Sequence, residues 1–239
     1  MIGVIGRGAI ATALIPLLRA DGHAVVSLVR NAPGPDQVSE LPALLATQPA
    51  LVVEAAGHDA LAQIGTAVLC AGVPLIAAAG GALADDALHA SLRQAAQDGG
   101  TRLHLPAGAV GGVDALAALP GAVTLRYTGT KPPRAWPNGT PEGTFFEGTA
   151  RAAARRYPKN ANVAATLALA GPGLDATHVT LRSDANAAGN THAWEATGAG
   201  IALSMAVTSL PTEGNAATSA LTVHALHRSV RNLTGEIAL

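Results

Sequence analysis

The sequence predicts a Rossmann-type doubly wound parallel α/β sheet, followed by a second α+β domain that carries a mixed or antiparallel sheet. Three observations predict it. The chain opens on an apolar run, Ile2–Ile5, which meets a glycine turn and then a stretch of helical periodicity. Short apolar runs then alternate with helical patterns as far as Leu105. After Pro106 the pattern changes to small-residue loops, a proline-rich connection and alternating strands. Apolar strands that are continuous rather than alternating belong to a parallel sheet covered on both faces, and a βαβ series winds such a sheet doubly.

Strands are expected at Ile2–Ile5, Ala24–Val29, Leu51–Glu54, Pro74–Ala77 and Arg102–Leu105. Helices lie between them at Ile10–Ala20, Asp36–Thr47, Asp59–Ala71 and Ala84–Asp98. The first carries an apolar stripe of Ile10, Leu14, Leu17 and Leu18. Asp85 and Asp86 suit the positive end of the fourth, and Gly99-Gly100 ends it. Residues 107–113, Ala-Gly-Ala-Val-Gly-Gly-Val, read as a loop, and Lys131-Pro-Pro-Arg-Ala-Trp-Pro-Asn-Gly as an irregular connection. Thr149–Tyr157 reads as a helix. Pro158 is placed to open another that continues over Asn160–Ala170 and closes at Gly171. Alternation at Thr177–Leu181, Thr191–Thr197 and Gly200–Val207 predicts antiparallel strands with one solvated face. Ala217–Leu233 is a helix striped by Leu221, Val223, Leu226, Val230 and Leu233, expected to return to the first domain. The expected domains are residues 1–106 joined by 212–239, and residues 107–211.

Composition excludes several classes. The 239 residues carry a net charge of −1 without a basic block, which gives no footprint for nucleic acid or an anionic membrane. No segment is expected to span a membrane, which takes ~18 uncharged apolar residues in one helix. Met1 leads directly into the first strand, leaving no room for a leader peptide. The single Cys70 rules out an intramolecular disulfide, fits a cytoplasmic protein, and reads as an inert buried thiol. Apolar residues make up 49% but aromatics only 3%, so the core should pack through small side chains.

The strongest chemical motif is Gly6-Arg-Gly8-Ala9-Ile10-Ala11, a G-x-G-x-x-A pattern set between a strand and a helix. Gly6 permits the turn, Gly8 lets backbone approach a pyrophosphate, and Ala11 lets the helix pack closely. The free N–H groups of the first helical turn, at Ala9 and Ile10, face the phosphates. The alternative is a glycine-rich turn that binds nothing, or a mononucleotide alone. A residue near the end of the second strand selects the cofactor. Proteins that prefer NAD place an acid there to bind the ribose. Here the stretch is Val26-Ser27-Leu28-Val29-Arg30-Asn31, without an acid. Arg30 suits a 2′-phosphate, which favours NADP or dual use over NAD alone, unless it is simply a solvated charge. The chain has no further flavin segment, which disfavours FAD.

In open α/β sheets the site lies beyond the carboxyl ends of the strands, where two loops are candidates. Glu54-Ala-Ala-Gly-His58 reads as lining the cofactor groove rather than catalysing. Ala107–Asp114 either lets a nicotinamide lie against backbone or serves as a hinge. A third segment is Tyr157-Pro-Lys159-Asn160-Ala-Asn162. Its lysine and two amides crowd a helix start, which suits a carboxylate or carboxamide, or else simple capping with a surface lysine. Of the eight histidines, His224 and His227 stand at i, i+3 on a predicted helix without a carboxylate or cysteine at metal-ligand spacing, so no metal is expected. His192 stands apart, at the start of a strand after a small-residue turn, and is the candidate acid–base group.

Taken together, the chain resembles the L-aspartate dehydrogenase family. The matching pieces are Gly6-Arg-Gly8-Ala-Ile10, Glu54-Ala-Ala-Gly, Gly108–Ala115, Phe146-Glu-Gly-Thr-Ala, Tyr157–Thr166, Asn190-Thr-His192 and Thr218–Thr222. They follow the family's order over nearly the whole chain, and Pro-Lys-Asn-x-Asn-Val-Ala-Ala is the most specific. The resemblance implies a homodimer that oxidises L-aspartate with NAD(P)+ to iminoaspartate. Hydrolysis then gives oxaloacetate and ammonia, and iminoaspartate can feed pyridine nucleotide biosynthesis. It implies that His192 is the active-site histidine, that Ala109 and Asn162 bind cofactor, and that the middle domain carries the substrate site and the dimer-forming sheet. Lys159 and Asn160 are then candidates to bind substrate carboxylate, with Lys131 a further one. Two departures bear on the substrate. Ala107 stands where relatives usually have serine, and Asn215-Ala-Ala-Thr-Ser219 lacks a lysine they often carry. The competing readings are an NADPH-dependent reductase of another imine or a semialdehyde, and a non-catalytic dinucleotide sensor.

Overall fold

The structure is a computed structural model and describes residues 1–31, 34–121, 123–158, 160–210 and 220–238. The chain forms two compact units, Met1–Pro106 with Val223–Leu239, and Ala107–Thr222.

The first unit is a six-stranded parallel sheet ordered β3-β2-β1-β4-β5-β6. The strands are β1 (Ile2–Ile5), β2 (Val25–Leu28), β3 (Gln37–Val38), β4 (Leu51–Glu54), β5 (Leu75–Ala77) and β6 (Leu103–His104). The helices are α1 (Ala9–Ala20), α2 (Leu41–Ala46), α3 (His58–Cys70) and α4 (Asp86–Asp98). The order reverses between β1 and β4, and this switch point is where a doubly wound sheet opens a crevice for a ligand. β1 and β4 are buried at every position, as central parallel strands require. Asp85 caps α4, its carboxylate accepting from the Ala87 and Leu88 N–H groups at 2.9 and 3.1 Å.

The last helix, α8 (Ala220–Thr234), belongs to this unit from Val223 onward. Its Val223, Leu226 and Val230 join Ile2, Val4, Leu14, Leu18, Leu51 and Val53 in one apolar cluster. His227 Nε2 lies 2.8 Å from the Asp21 carboxylate just beyond α1.

The second unit is a five-stranded mixed sheet ordered β11-β10-β7-β9-β8. Its strands are β7 (Thr124–Lys131), β8 (Gly143–Thr149), β9 (Thr177–Ser183), β10 (Asn190–Gly198) and β11 (Ile201–Ser209). Only β7 and β9 pair in parallel. The helices are α5 (Val113–Ala117), α6 (Ala150–Arg156) and α7 (Asn162–Ala170). α7 is buried over Val163–Ala168. On the buried face β7 places Leu125, Tyr127, Gly129 and Lys131, β9 places Thr177, Val179, Leu181 and Ser183, and β10 places His192, Trp194 and Ala196.

Several expectations are corrected. Asp36–Thr47 is not one helix: Gln37–Val38 pairs with β2, and α2 begins only at Leu41. The Ser27 and Val29 N–H groups donate to the Asp36 and Val38 carbonyls, and Pro42 sits in the first turn of α2, where its missing N–H does no harm. Pro158 does not open a helix. The Tyr157 carbonyl closes a turn by accepting from the Asn160 and Ala161 N–H groups, and α7 starts at Asn162. Cys70 is exposed, because Val68 and Leu69 take the buried side of the final turn of α3. Thr124–Lys131 and Gly143–Thr149 are strands where no element was expected.

Candidate active site

The glycine turn stands at the carboxyl end of β1, at the switch point. Gly6 has φ +111°, and a Cβ there would lie 2.9 Å from the Ala55 carbonyl oxygen, so both backbone and space demand glycine. Gly8 is different. Its backbone is extended, a Cβ would meet nothing within 4 Å, and no side chain caps the helix it begins. Nothing among the described residues requires glycine there, and the N–H groups of Ala9, Ile10 and Ala11 that follow have no side-chain cap. That arrangement fits a pyrophosphate, which needs close backbone approach and free donors. Arg30 is exposed two residues beyond the end of β2 and makes no ion pair among the described residues.

Glu54, at the end of β4, is fully buried. Its carboxylate accepts from the Ala56 and Gly57 N–H groups at 2.6 Å each and from the Ala79 N–H at 3.1 Å. Burial raises its pKa, against the pull of these donors. The residue therefore ties the turn after β4 to the one after β5 and holds the crevice rim in shape.

In the second unit the candidate chemistry gathers on the buried face of the sheet. His192 is 3% exposed. Its Nδ1 lies 2.7 Å from the hydroxyl of Tyr127, itself fully buried, and the two rings stack with centroids 6.0 Å apart. Burial, and then the charge of Lys131, push the imidazole pKa down to about 3, so His192 is neutral near pH 7. Burial also raises the pKa of Tyr127. Trp194, two residues on, donates its indole N–H to the Gly111 carbonyl at 3.2 Å. A Cβ on Gly112, at φ +70°, would lie 2.9 Å from the Trp194 ring. The Ala107–Gly112 loop is thus seated on the strand that carries His192, with Ala109 buried.

Lys131 ends β7, directly across from Ser183 in the β7–β9 register. It is 7% exposed and makes no ion pair among the described residues. Its ammonium sits 5.0 Å from the centroid of the Trp136 ring, and burial lowers its pKa to about 8. The Ser183 hydroxyl is buried with no hydrogen-bond partner among the described residues. Trp136 is held in place by donating to the carbonyls of Lys131 and Arg182. The Asn160 amide donates to the neighbouring Ala135 carbonyl at 3.2 Å. An isolated buried cation beside an unsatisfied buried hydroxyl is costly alone and is completed by an anion.

The structure therefore brings His192 and Lys131 onto one buried face and places Asn160 beside the segment that covers Lys131. Lys131 is not part of a surface connection, as its sequence context implies, because β7 runs up to Pro132. Asn162 opens α7. Lys159 and the Asn215–Ser219 stretch lie outside the described residues. Sequence reasoning missed Tyr127, Gly129 and Ser183. One signal was available for Tyr127: the chain's two Trp, two Tyr and two Phe all fall between residues 127 and 194.

Comparison with known proteins gives a family for both parts of the chain. Residues 6–106 match the NAD-binding domain described for homoserine dehydrogenase, and residues 114–233 match the aspartate dehydrogenase C-terminal domain. The chain is 40% identical to the L-aspartate dehydrogenase of Pseudomonas aeruginosa over 270 aligned positions, covering 100% of this chain and 99% of the relative. It is 42% identical to that of Ruegeria pomeroyi, covering 96% and 91%. The crystal structure of aspartate dehydrogenase from Thermotoga maritima superposes with a TM-score of 0.84 at 25% identity, covering 100% of this chain and 98% of that one. The chain is a nicotinamide-dinucleotide-binding protein that belongs to the L-aspartate dehydrogenase family.

Proposed function

We propose that the protein oxidises L-aspartate to iminoaspartate with NAD(P)+, water then releasing oxaloacetate and ammonia, and that it runs the reverse amination. The observation that carries this reading is a neutral, buried His192 on the same sheet face as a buried Lys131 that makes no ion pair among the described residues. A dicarboxylate amino acid needs a cation for a carboxylate and a proton-handling group at nitrogen. When bound, the dinucleotide supplies a hydride acceptor.

Gly6, Gly8, Ala9 and Ile10 hold the pyrophosphate, and Ala109 and Asn162 are further cofactor contacts by family position. Lys131 and Ser183 bind a substrate carboxylate. Asn160 supports that site through the Ala135 segment, and Lys159 is a second candidate cation. His192 exchanges protons with the amine and with the hydrolytic water. Charge pairing in a site closed to water strengthens each of these contacts. The working form is a homodimer.

Purified protein given L-aspartate and oxidised dinucleotide should yield ammonia and oxaloacetate in equal amounts. Cofactor reduction without ammonia release would contradict the reading.

Arg30 gives the cofactor preference. It stands two residues beyond the end of β2 with no acidic residue in the stretch, so NADP, or dual use, is favoured over NAD alone. Arg30→Ala should raise the KM for NADPH by about tenfold or more while leaving NADH within about twofold, the loss expected for one charge-assisted phosphate contact. Equal effects on both cofactors would show that Arg30 does not read the 2′ position.

A further inference from the structure

We propose that Tyr127 is the positioning residue that fixes the tautomer of His192, holding its proton on Nε2 so that the imidazole meets substrate as a hydrogen-bond donor. The inference rests on the reading of His192 as the proton-handling group and adds to it a direction.

The argument is one of donors and acceptors in a closed space. Tyr127 is fully buried, and His192 Nδ1, at 2.7 Å, is the one hydrogen-bond partner of its hydroxyl among the described residues. A hydroxyl brings one proton. If Nδ1–H donated to the tyrosine oxygen, the tyrosine proton would be buried without an acceptor, a loss that disfavours this arrangement by roughly tenfold. If the hydroxyl donates, Nδ1 accepts, both groups are satisfied, and the proton of the neutral ring must sit on Nε2. His192 Nε2 has no partner among the described residues and is left for a ligand.

The backbone is shaped for this contact. Gly129 is paired directly with His192 across β7 and β10. A Cβ at Gly129 would lie 2.7 Å from the Tyr127 hydroxyl and 3.3 Å from a Leu181 methyl, so any side chain there would displace the hydroxyl. Tyr127, Gly129 and His192 thus form one device in which a missing side chain lets a tyrosine reach along its own strand to the neighbouring one.

A resting Nε2–H donates to the carbonyl oxygen of an oxo acid or to the hydroxyl of the carbinolamine. It takes a proton from the amine only once its own Nε2 proton has been given up. The substrate chemistry that matches is an oxygen acceptor held next to carboxylate-binding Lys131.

The test is the 15N spectrum of histidine-labelled protein, with His192 assigned by the signal lost in His192→Gln, alongside steady-state amination of oxaloacetate. In the wild type at pH 7, Nε2 should be the protonated nitrogen. In Tyr127→Phe, which keeps the ring and its packing, the tautomer signals should move toward a mixture or reverse. The same variant should lose about tenfold or more in kcat, with the KM for dinucleotide within about twofold. Gly129→Ala should reproduce the tautomer change through a different residue. A wild-type ring protonated on Nδ1 overturns the proposal. So does a Tyr127→Phe protein in which either the tautomer or kcat is unchanged. A wild type protonated on Nε2 that turns over no oxaloacetate would contradict the dehydrogenase reading while supporting the tautomer assignment.

Discussion

Replacing His192 with alanine lowers kcat by about a hundredfold or more and leaves dinucleotide affinity within about twofold; that is the expected result. The two parts of the prediction have separate causes. His192 lies in the second unit, on the buried face of β10, whereas Gly6, Gly8 and the start of α1, proposed to hold the pyrophosphate, lie in the first. Its removal takes away the proton-handling group without touching the phosphate donors. The imidazole is neutral near pH 7, since burial and Lys131 bring its pKa down to about 3, so the loss should appear in kcat across the neutral range. Isothermal titration of NADPH measures the affinity, and amination rates measure kcat. A variant that keeps kcat would refute the assignment of His192. One that also loses cofactor binding would point to a structural role.

Lys131→Met should make the free protein more stable and the enzyme worse. The methionine keeps a long apolar stem against Trp136 but removes a charge that burial disfavours. Burial brings the Lys131 pKa from the ordinary 10.5 to about 8. The folded pKa is therefore the lower one. Below pH 8 both folded and unfolded chains carry the proton, and the folded state bears the full penalty. Between about 8 and 10.5 the folded state has shed a proton that the unfolded state still holds, so stability rises with pH across that window. Above it the penalty is gone. At pH 7 the substitution should stabilise the free protein by on the order of 3 kcal/mol, shrinking toward zero by pH 10.5. The KM for oxaloacetate should rise about ten- to a hundredfold, the loss expected of a charge-assisted hydrogen bond to a carboxylate. Thermal melts over the pH range check the first part and initial rates the second. A destabilised variant with unchanged KM would mean that Lys131 serves the fold and not the substrate.

How much of this was legible in the sequence depended on whether chemistry and local structure use the same residues. At Gly6 they do, so strand, turn and helix could be read together from a few positions, and with them the proposed phosphate site. At β7 they do not. Its inner face is Leu125, Tyr127, Gly129 and Lys131, and the last two break the apolar alternation by which a half-buried strand is recognised. Pro132 and Pro133 then drew the expected loop back over Lys131, a residue the sheet buries.

The Tyr127–His192 contact was illegible for another reason. It joins positions 65 residues apart, and only the β7–β10 register brings them together. The loss of Asp36–Thr47 as a single helix has a similar cause, since the open edge of β2 takes up residues 36–38 as hydrogen-bond partners. His192 itself was legible as a position, but not its burial, its partner or its neutral state.

The measurement that tests the central claim most directly is the initial rate of reduced-dinucleotide consumption with oxaloacetate and ammonium, supplied together and singly, for wild type and His192→Ala. The account predicts consumption only when both are present, faster with NADPH than with NADH, and collapse in the variant. Binding of either dinucleotide without consumption under any combination would contradict it.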